Sequence, residues 1–306
     1  MVNEFEYNGD AKQRLDIYVS EQFPAYSRSR IAGLVKSGDI TVNGKTVKAG
    51  YSLQTGDRIS VLLSEEPEPV EIRPENIDLD IVYEDNDVIV VNKPKNMVVH
   101  PAAGHSEGTL VNALMYHCKD SLSGINGELR PGIVHRIDKD TTGLIIACKN
   151  DHSHNSIAAQ LKEHSTTRRY IALVYGNIKE DEGVVDINID RSRNDRKKMA
   201  VVAPGEGRNA VTHYKVLERF GDVTLIECRL ETGRTHQIRV HMSYLNHPLC
   251  GDEVYGIKKD RFSGNGQYLH AAVLGFNHPV TGEYLEFRAE LPDYFQKTLD
   301  TLRKQK

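Results

Sequence analysis

Apolar and polar positions change their rhythm several times along this chain, and each change marks an element. Leu15, Val19 and Phe23 recur at helical spacing, and Ile31, Leu34 and Val35 form a second inward stripe that Ser27 can cap and Gly38 ends. Asn43-Gly44, set between "DITV" and "KTV", predicts a hairpin, and Arg58 to Leu63 a further strand. From Leu79, "LDIVYEDNDVIVVNKP" predicts two strands around an Asp-Asn-Asp turn, and "EGTLVNALMYHC" a helix. Two short apolar runs, Gly132 to Val134 and Leu144 to Cys148, read as buried strands with a nine-residue loop between them. A helix follows Asp151. In "TTRRYIALVYGNI" Tyr170, Ala172 and Val174 alternate with Ile171, Leu173 and Tyr175, so both faces are apolar and the strand is central. Near "LETGRTHQIRVHMSYLNHPLCGDEVYG" a strand ends at Gly233, Thr235 can cap a helix with Ile238, Met242 and Leu245 inside, and Asn246 with Pro248 stops it. Further strands run to "YLEFRAELP". Strands outnumber helices without regular βαβ alternation, which predicts an α+β fold on a mixed, mainly antiparallel central sheet, preceded by a small α/β module.

Charge refines this picture. The chain of 306 residues carries a net charge of -4, which argues against a nucleic-acid partner until its distribution is read. Residues 63 to 90 hold ten acids against Arg73, a local -9 that leaves +5 for the remainder. Pro67, Pro69 and Pro74 fall in the same stretch, so residues 63–78 read as an extended acidic linker between a module at 13–62 and a larger domain at 79–306. The four cysteines stand far apart with no C-x-x-C pair, signalling neither a disulfide framework nor a thiolate zinc site. No basic start or apolar segment opens the chain, and no apolar run is of membrane length, so a cytoplasmic protein without a membrane partner is expected.

Candidate chemistry gathers in three places. In "PGIVHRIDKDTTGLIIACKN" the loop carries Arg136, Asp138 and Asp140. If its first half is extended these three share one side while Ile137 turns inward, and a carboxylate beside a guanidinium stays ionised and oriented. Which acid acts, the loop alone leaves open. "DKDTTG" begins like a calcium loop but has Lys149 where a bidentate Glu belongs, and no H-E-x-x-H accompanies His135, so no metal site is signalled. Arg168 and Arg169 precede Tyr170, whose ring can close the core or stack on a base. Arg239 falls in the first turn of its helix with Arg234 and His236 just before it, a setting suited to an anion. In the N-terminal module, Arg28, Arg30 and Lys36 place cations beside helical backbone donors suited to phosphate. "GKT" at 44–46 is no phosphate loop, because a hairpin follows it rather than a helix.

The module at 13–62 resembles the S4-type RNA-binding domain in its "SRSRI", its "G-x-I-x-VNG-x-x-V" and its closing "GD-x-I". The whole chain resembles the RluA/RluD-type family of RNA pseudouridine synthases through "EDNDVIVVNKPKNMVVHPAAGH", "GIVHRIDKDTTGL", "RRYIALVYG", "TGRTHQIRVHMSYLNHPLCGD" and "YLHAAVLGFNHPVTGEYLEF". The resemblance implies isomerisation of selected uridines, most commonly in ribosomal RNA, by a monomer with no metal or organic cofactor. It implies that Asp138 is the catalytic carboxylate, that Tyr170 stacks on the base and assists proton removal, and that Arg239 pairs with Asp138. Arg136, Arg28, Arg30, Lys36, Arg168, Arg169, Arg234 and His236 are then expected to meet RNA, with the run Arg191, Arg193, Arg196, Lys197 and Lys198 as further phosphate contacts. Transfer RNA as substrate, an RNA-binding assembly factor with an idle pocket and a glycosidic hydrolase are the competing readings. Where many relatives have Leu, this chain has Ile137, a conservative change.

Overall fold

The computed structural model describes residues 2–9, 12–24, 26, 28–62, 72–101, 107–119, 121–125, 130–195 and 198–305. The expected cap Ser27, residues 63–71 of the expected linker, and Arg196 with Lys197 lie outside the described residues. Two compact units are present, Met1–Val70 and Glu71–Lys306.

In the first unit, helices α1 (Leu15–Gln22) and α2 (Arg28–Ser37) pack on an antiparallel sheet ordered β1-β3-β2, with β1 at Val2–Glu6, β2 at Ile40–Val42 and β3 at Arg58–Leu62. Its core is Leu15, Val19, Ile31, Val35, Ile40, Val42, Leu53, Ile59 and Val61; of the helical residues the periodicity turns inward, Leu15, Val19, Ile31 and Val35 are buried, while Phe23 and Leu34 pack against the core half-buried. Two details differ from the pattern reading. Asn43 and Gly44 adopt φ +53° and +72°, the tight turn their sequence demands, yet beyond it Lys45 makes only an isolated bridge to Val42 and "KTV" is not a strand. Arg58–Leu62 takes the place beside β2 instead, because its alternating Ile59 and Val61 can be buried on the helices. The extra strand β1 completes the other edge, with Phe5 meeting Phe23 edge-on at 5.6 Å.

The second unit is built on a nine-stranded sheet ordered β4-β5-β6-β13-β7-β12-β11-β8, with β14 also on β13. Its strands are β4 (Ile81–Glu84), β5 (Val88–Lys93), β6 (Thr142–Cys148), β7 (Thr167–Tyr175), β8 (Glu182–Asp186), β11 (Val211–Arg219), β12 (Val223–Leu230), β13 (Leu269–Asn277) and β14 (Tyr284–Arg288); β9 (Ile189–Arg191) and β10 (Met199–Val201) form a separate two-stranded ribbon. Every pairing in the large sheet is antiparallel except β6 with β13. The fold is therefore α+β on a mixed, mainly antiparallel sheet.

Period-two alternation divides the core between the sheet's faces. Tyr170, Ala172 and Val174 of β7, with Ile226 and Cys228 of β12, join a cluster closed by α3 (Leu110–Cys118) and α5 (Gln237–Tyr244). On the opposite face, Ile146 and Phe276 pack with Ile157 of α4 (Asp151–Lys162), and Leu173 and Leu225 pack with Phe295 and Leu299 of α6 (Asp293–Lys304). Sequence reading stopped at "YLEFRAELP" and did not anticipate α6, although Phe295, Leu299 and Leu302 recur at helical spacing and are buried. No helix among the described residues is long and apolar enough to cross a membrane.

Candidate active site

The loop that carries the two acids is held from several sides. On its C-terminal side β6 is a strand, as expected, but Gly132 to Val134 is not; Ile133 pairs with Ala147 as an isolated bridge. Backbone support is limited to short pairings such as Cys148 N–H to the Gly132 carbonyl at 2.8 Å, and side chains add the rest. His135 accepts the Ile146 N–H through Nε2 at 3.1 Å, so it is a structural hydrogen-bonding partner of β6. Burial, and then the Arg168 charge, push its imidazole down to about 3, which keeps it neutral and able to accept. Ile137 is inserted in the core, as its inward turn predicts. Lys93, fully buried at the end of β5, donates to the carbonyls of Pro94, Met97 and Lys139 at 2.8, 2.8 and 3.0 Å. The last of these pins the backbone one residue beyond Asp138. At the start of β6 Gly143 has φ +104°, and a β-carbon there would collide with the backbone of Ala271 across the parallel pairing.

This support separates the two acids. Asp138 lines a cavity of about 460 Å³ that also exposes Tyr170, Arg168, Arg136, Arg234, His236 and Arg239. Asp140 does not line it; its side chain lies against Gly266, which leaves it the room. Asp138 Oδ2 accepts from Arg239 Nη1 at 2.8 Å. The guanidinium is simultaneously gripped by Asp252, through Nε to Oδ2 at 2.7 Å and Nη2 to Oδ1 at 2.9 Å. Burial opposes the charged form of both Arg239 and Asp252, but their mutual hydrogen bonds and charge outweigh it, holding the arginine above and the carboxylate below its ordinary range. One guanidinium thus faces two carboxylates, one of them inaccessible and the other open to the cavity, with side-chain exposures of 0% and 17%.

The helix that presents Arg239 begins differently from expectation. Thr235 is exposed, and the N-cap position is taken by His236 in the left-handed region (φ +57°) without a side-chain cap. Gln237 makes the cap unnecessary: its Oε1 accepts from Arg234 N–H and Thr232 Oγ1, and its Nε2 donates to Val211 O and Thr212 Oγ1. His236 Nδ1 meets the Tyr255 hydroxyl at 2.8 Å, and that oxygen also accepts Met199 N–H. The Tyr255 ring lies beneath the Arg239 guanidinium, 5.1 Å from centroid to Cζ.

Tyr170 is the central strand's contribution. It is buried to 7% exposure and faces the cavity together with Arg168, two residues earlier on the same face of β7. Burial raises its phenol's pKa, with Arg168 lowering it and Asp138 raising it further. Arg169 points to the other face and does not line the cavity, as the alternation of β7 requires. Among the other expected contacts, Arg136 is exposed at the rim with Nη1 3.4 Å from His100 Nε2. In the N-terminal unit Arg28 is already paired with Asp16 at 2.9 Å, Arg30 lies 5.5 Å over the Tyr26 ring, and Lys36 is exposed. In the β9–β10 ribbon Arg191 and Lys198 flank the turn, and Arg193 pairs with Glu206 at 2.9 Å.

Asp252, Tyr255 and Lys93 were not singled out from sequence. For Lys93 a signal existed, a cation at the end of a strand that opens with four apolar residues. Asp252 carried none, because a carboxylate thirteen residues from its arginine acquires meaning only when the chain doubles back.

Residues 87–244 match the family model described as RNA pseudouridylate synthase, and residues 13–59 match the S4 domain. The chain is 54% identical to the RNA pseudouridine synthase YlyB of Bacillus subtilis, covering 95% of each chain. It is 47% identical to ribosomal large subunit pseudouridine synthase D of Zymomonas mobilis, covering 92% of each. Among solved structures, the human RNA pseudouridylate synthase domain containing 1 superposes with a TM-score of 0.58 at 26% identity, covering 78% of this chain and 97% of the human one.

Proposed function

Because this chain belongs to the RNA pseudouridylate synthase family and is an isomerase of uridine in RNA, we propose that Asp138 is its catalytic carboxylate and that its substrate is large-subunit ribosomal RNA. The observation that carries the residue assignment is the Asp138–Arg239–Asp252 arrangement beside Tyr170 in one cavity. Asp252 supplies the counter-charge that keeps Arg239 in place, and Arg239 in turn aims Oδ2 of Asp138, while Oδ1 lies 3.8 Å from His236 Nε2.

Isomerisation breaks the bond from ribose C1′ to uracil N1, turns the base and joins C1′ to C5. A paired base cannot enter a cavity of this kind, so the uridine is flipped out or taken from a loop, at a cost of about a few kcal/mol for unstacking. Tyr170 stacks on the base, and Asp138 meets the ribose, either bonding to C1′ or taking the C2′ proton. On both routes the electron pair of the broken bond leaves with the base. The proton finally lost from C5 passes by way of a base, with Tyr170 assisting, and N1 regains one, so the product is an isomer. Arg136 and Arg234 at the rim meet phosphates, as Arg30 and Lys36 do from the S4 domain, which adds a second foothold on the same RNA.

The large-subunit assignment is supported by the similarity, over nearly the full length, to the Zymomonas enzyme named for the ribosomal large subunit. Incubation with RNA tritiated at uridine C5 tests the chemistry, since isomerisation releases the label, binding alone does not, and a hydrolase would yield free uracil. Asp138→Asn is expected to abolish release while RNA affinity stays within about tenfold, a change of about 1.4 kcal/mol. Mapping pseudouridines in ribosomal and transfer RNA from cells with and without the protein tests the substrate; loss confined to transfer RNA overturns it.

A further inference from the structure

Arg168 is the arginine in the cavity wall that the pairing above leaves unexplained. Its exposure is 7%, too small for a side chain that meets backbone phosphates at the surface. Nη2 donates to the Glu231 carbonyl at 2.9 Å, whereas Nε is buried and has no hydrogen-bond partner. Among the described residues no carboxylate pairs with it. The other cations of the cavity are accommodated differently: Arg239 has two carboxylates, Arg136 has solvent, and Arg234 is partly exposed and donates to Asn209 O. Space for the guanidinium is reserved by Gly233, where a β-carbon would stand 2.6 Å from Arg168 Nη1. A buried charge without a counter-ion is costly unless its partner arrives with the ligand. Its field already reaches the neighbouring groups, because it depresses the His135 imidazole and lowers the Tyr170 phenol against the effect of burial.

Resting on the isomerase site described above, we propose that Arg168 is a catalytic residue that binds the detached uracil as an anion. When C1′–N1 breaks heterolytically, the bonding pair stays on N1 and spreads to O2 and O4, while the sugar carbon is taken by Asp138 or gives up its C2′ proton. The base then lies on Tyr170 with a full negative charge, and the strand's alternation puts a guanidinium beside it from two residues away, about 7 Å along β7. That charge is absent from the bound uridine and disappears again when C5 bonds to C1′ and its proton is passed on. Arg168 therefore stabilises the barrier region more than either end state, the condition for accelerating the step. It also keeps the free base from leaving before it turns.

The test compares Arg168→Gln and Arg168→Lys with the unaltered protein at saturating RNA in single turnover, reading disappearance of the substrate nucleoside after nuclease digestion. Two RNAs are used, one with uridine and one with 5-fluorouridine at the target, because fluorine makes the departing base a weaker base and less dependent on an outside cation. Arg168→Gln is expected to slow consumption of uridine by roughly 10²–10³-fold and Arg168→Lys by about tenfold, with RNA affinity within about threefold. On fluorouridine both deficits should shrink by about tenfold or more. Equal deficits on the two RNAs would mean that the residue only shapes the cavity and would overturn the proposal. A normal rate at saturation with weakened binding would make it a phosphate contact and overturn it equally. If Arg168→Gln does not fold, as judged by melting, the charge-retaining Arg168→Lys carries the same comparison. Unaltered protein that consumes neither RNA would instead refute the isomerase site itself.

Discussion

The guanidinium held between two carboxylates makes a prediction in which stability and activity point in opposite directions. Asp252→Asn and Asp138→Asn are the same chemical change at the two ends of one arginine. Asp252 is inaccessible, makes both bonds of the fork, and accepts Val254 and Tyr255 N–H as well. Removing its charge leaves Arg239, itself nearly buried, with one carboxylate and an amide N–H₂ turned toward a donor. Breaking a buried ion pair from one side costs about 3–5 kcal/mol, and because Asp138 still offers a counter-charge the lower end, about 3 kcal/mol, applies here. Asp138 makes a single bond to Arg239 and opens to the cavity, so its replacement leaves the fork intact and costs about 1 kcal/mol or less. Urea unfolding followed by near-ultraviolet circular dichroism should rank the midpoints as native, then Asp138→Asn, then Asp252→Asn well below. Tritium release should rank them otherwise, with Asp138→Asn at background and Asp252→Asn reduced about 10²-fold by a misaimed arginine. Equal destabilisation by the two changes would show that the fork does not bear Arg239 as described. An Asp252→Asn protein with native turnover would refute its part in aiming Asp138.

Tyr170→Phe keeps the stacking surface and should hold RNA affinity within about threefold while slowing label release, whereas Tyr170→Ala should also weaken binding by about 1–3 kcal/mol in filter-binding titrations. Gly143→Ala combines a positive φ with a backbone collision at Ala271 and should lower the melting transition by the equivalent of about 3 kcal/mol or more, with Ala271→Gly unable to restore it because the obstruction is main chain. His135 is neutral when folded, with a pKa of about 3, and ordinary when unfolded, so below pH 6.5 the unfolded chain binds the extra proton and stability is lost as pH falls toward 3. That share is about 1–2 kcal/mol at pH 5, and His135→Gln should flatten the decline between pH 6.5 and 5 in urea titrations; an unchanged slope would contradict the depressed imidazole.

The sequence made the fold legible wherever periodicity and burial coincide. Tyr170, Ala172 and Val174 appear on one face of a central strand as the alternation requires, and Ile238 and Met242 appear inside their helix. It failed where side chains replace backbone pairing. "GIV" at 132–134 has the composition of a strand, but its backbone pairing with β6 stops at the Cys148 N–H to Gly132 carbonyl bond and the Ile133–Ala147 bridge, and the His135 ring continues the attachment at Ile146. Thr235 has the chemistry of a cap, yet the Gln237 amide already closes that turn. Composition also could not separate Asp138 from Asp140, nor reveal Asp252 and the unpaired state of Arg168, since each is defined by a contact between segments far apart in the chain. The family resemblance implies Asp138, and of the two acids it is Asp138 that lines the cavity.

The lone parallel pairing between β6 and β13 involves just two registered residue pairs, His270 with Thr142 and Ala271 with Gly143. It joins two meanders, one carrying the acid loop and the other supplying the phenol and the arginine. The backbone joint is therefore narrow, and it is the two shared apolar clusters on either face of the sheet that hold the halves in register. The spacing between the acid loop and the residues opposite it is thus set by side-chain packing across that joint more than by its few backbone bonds.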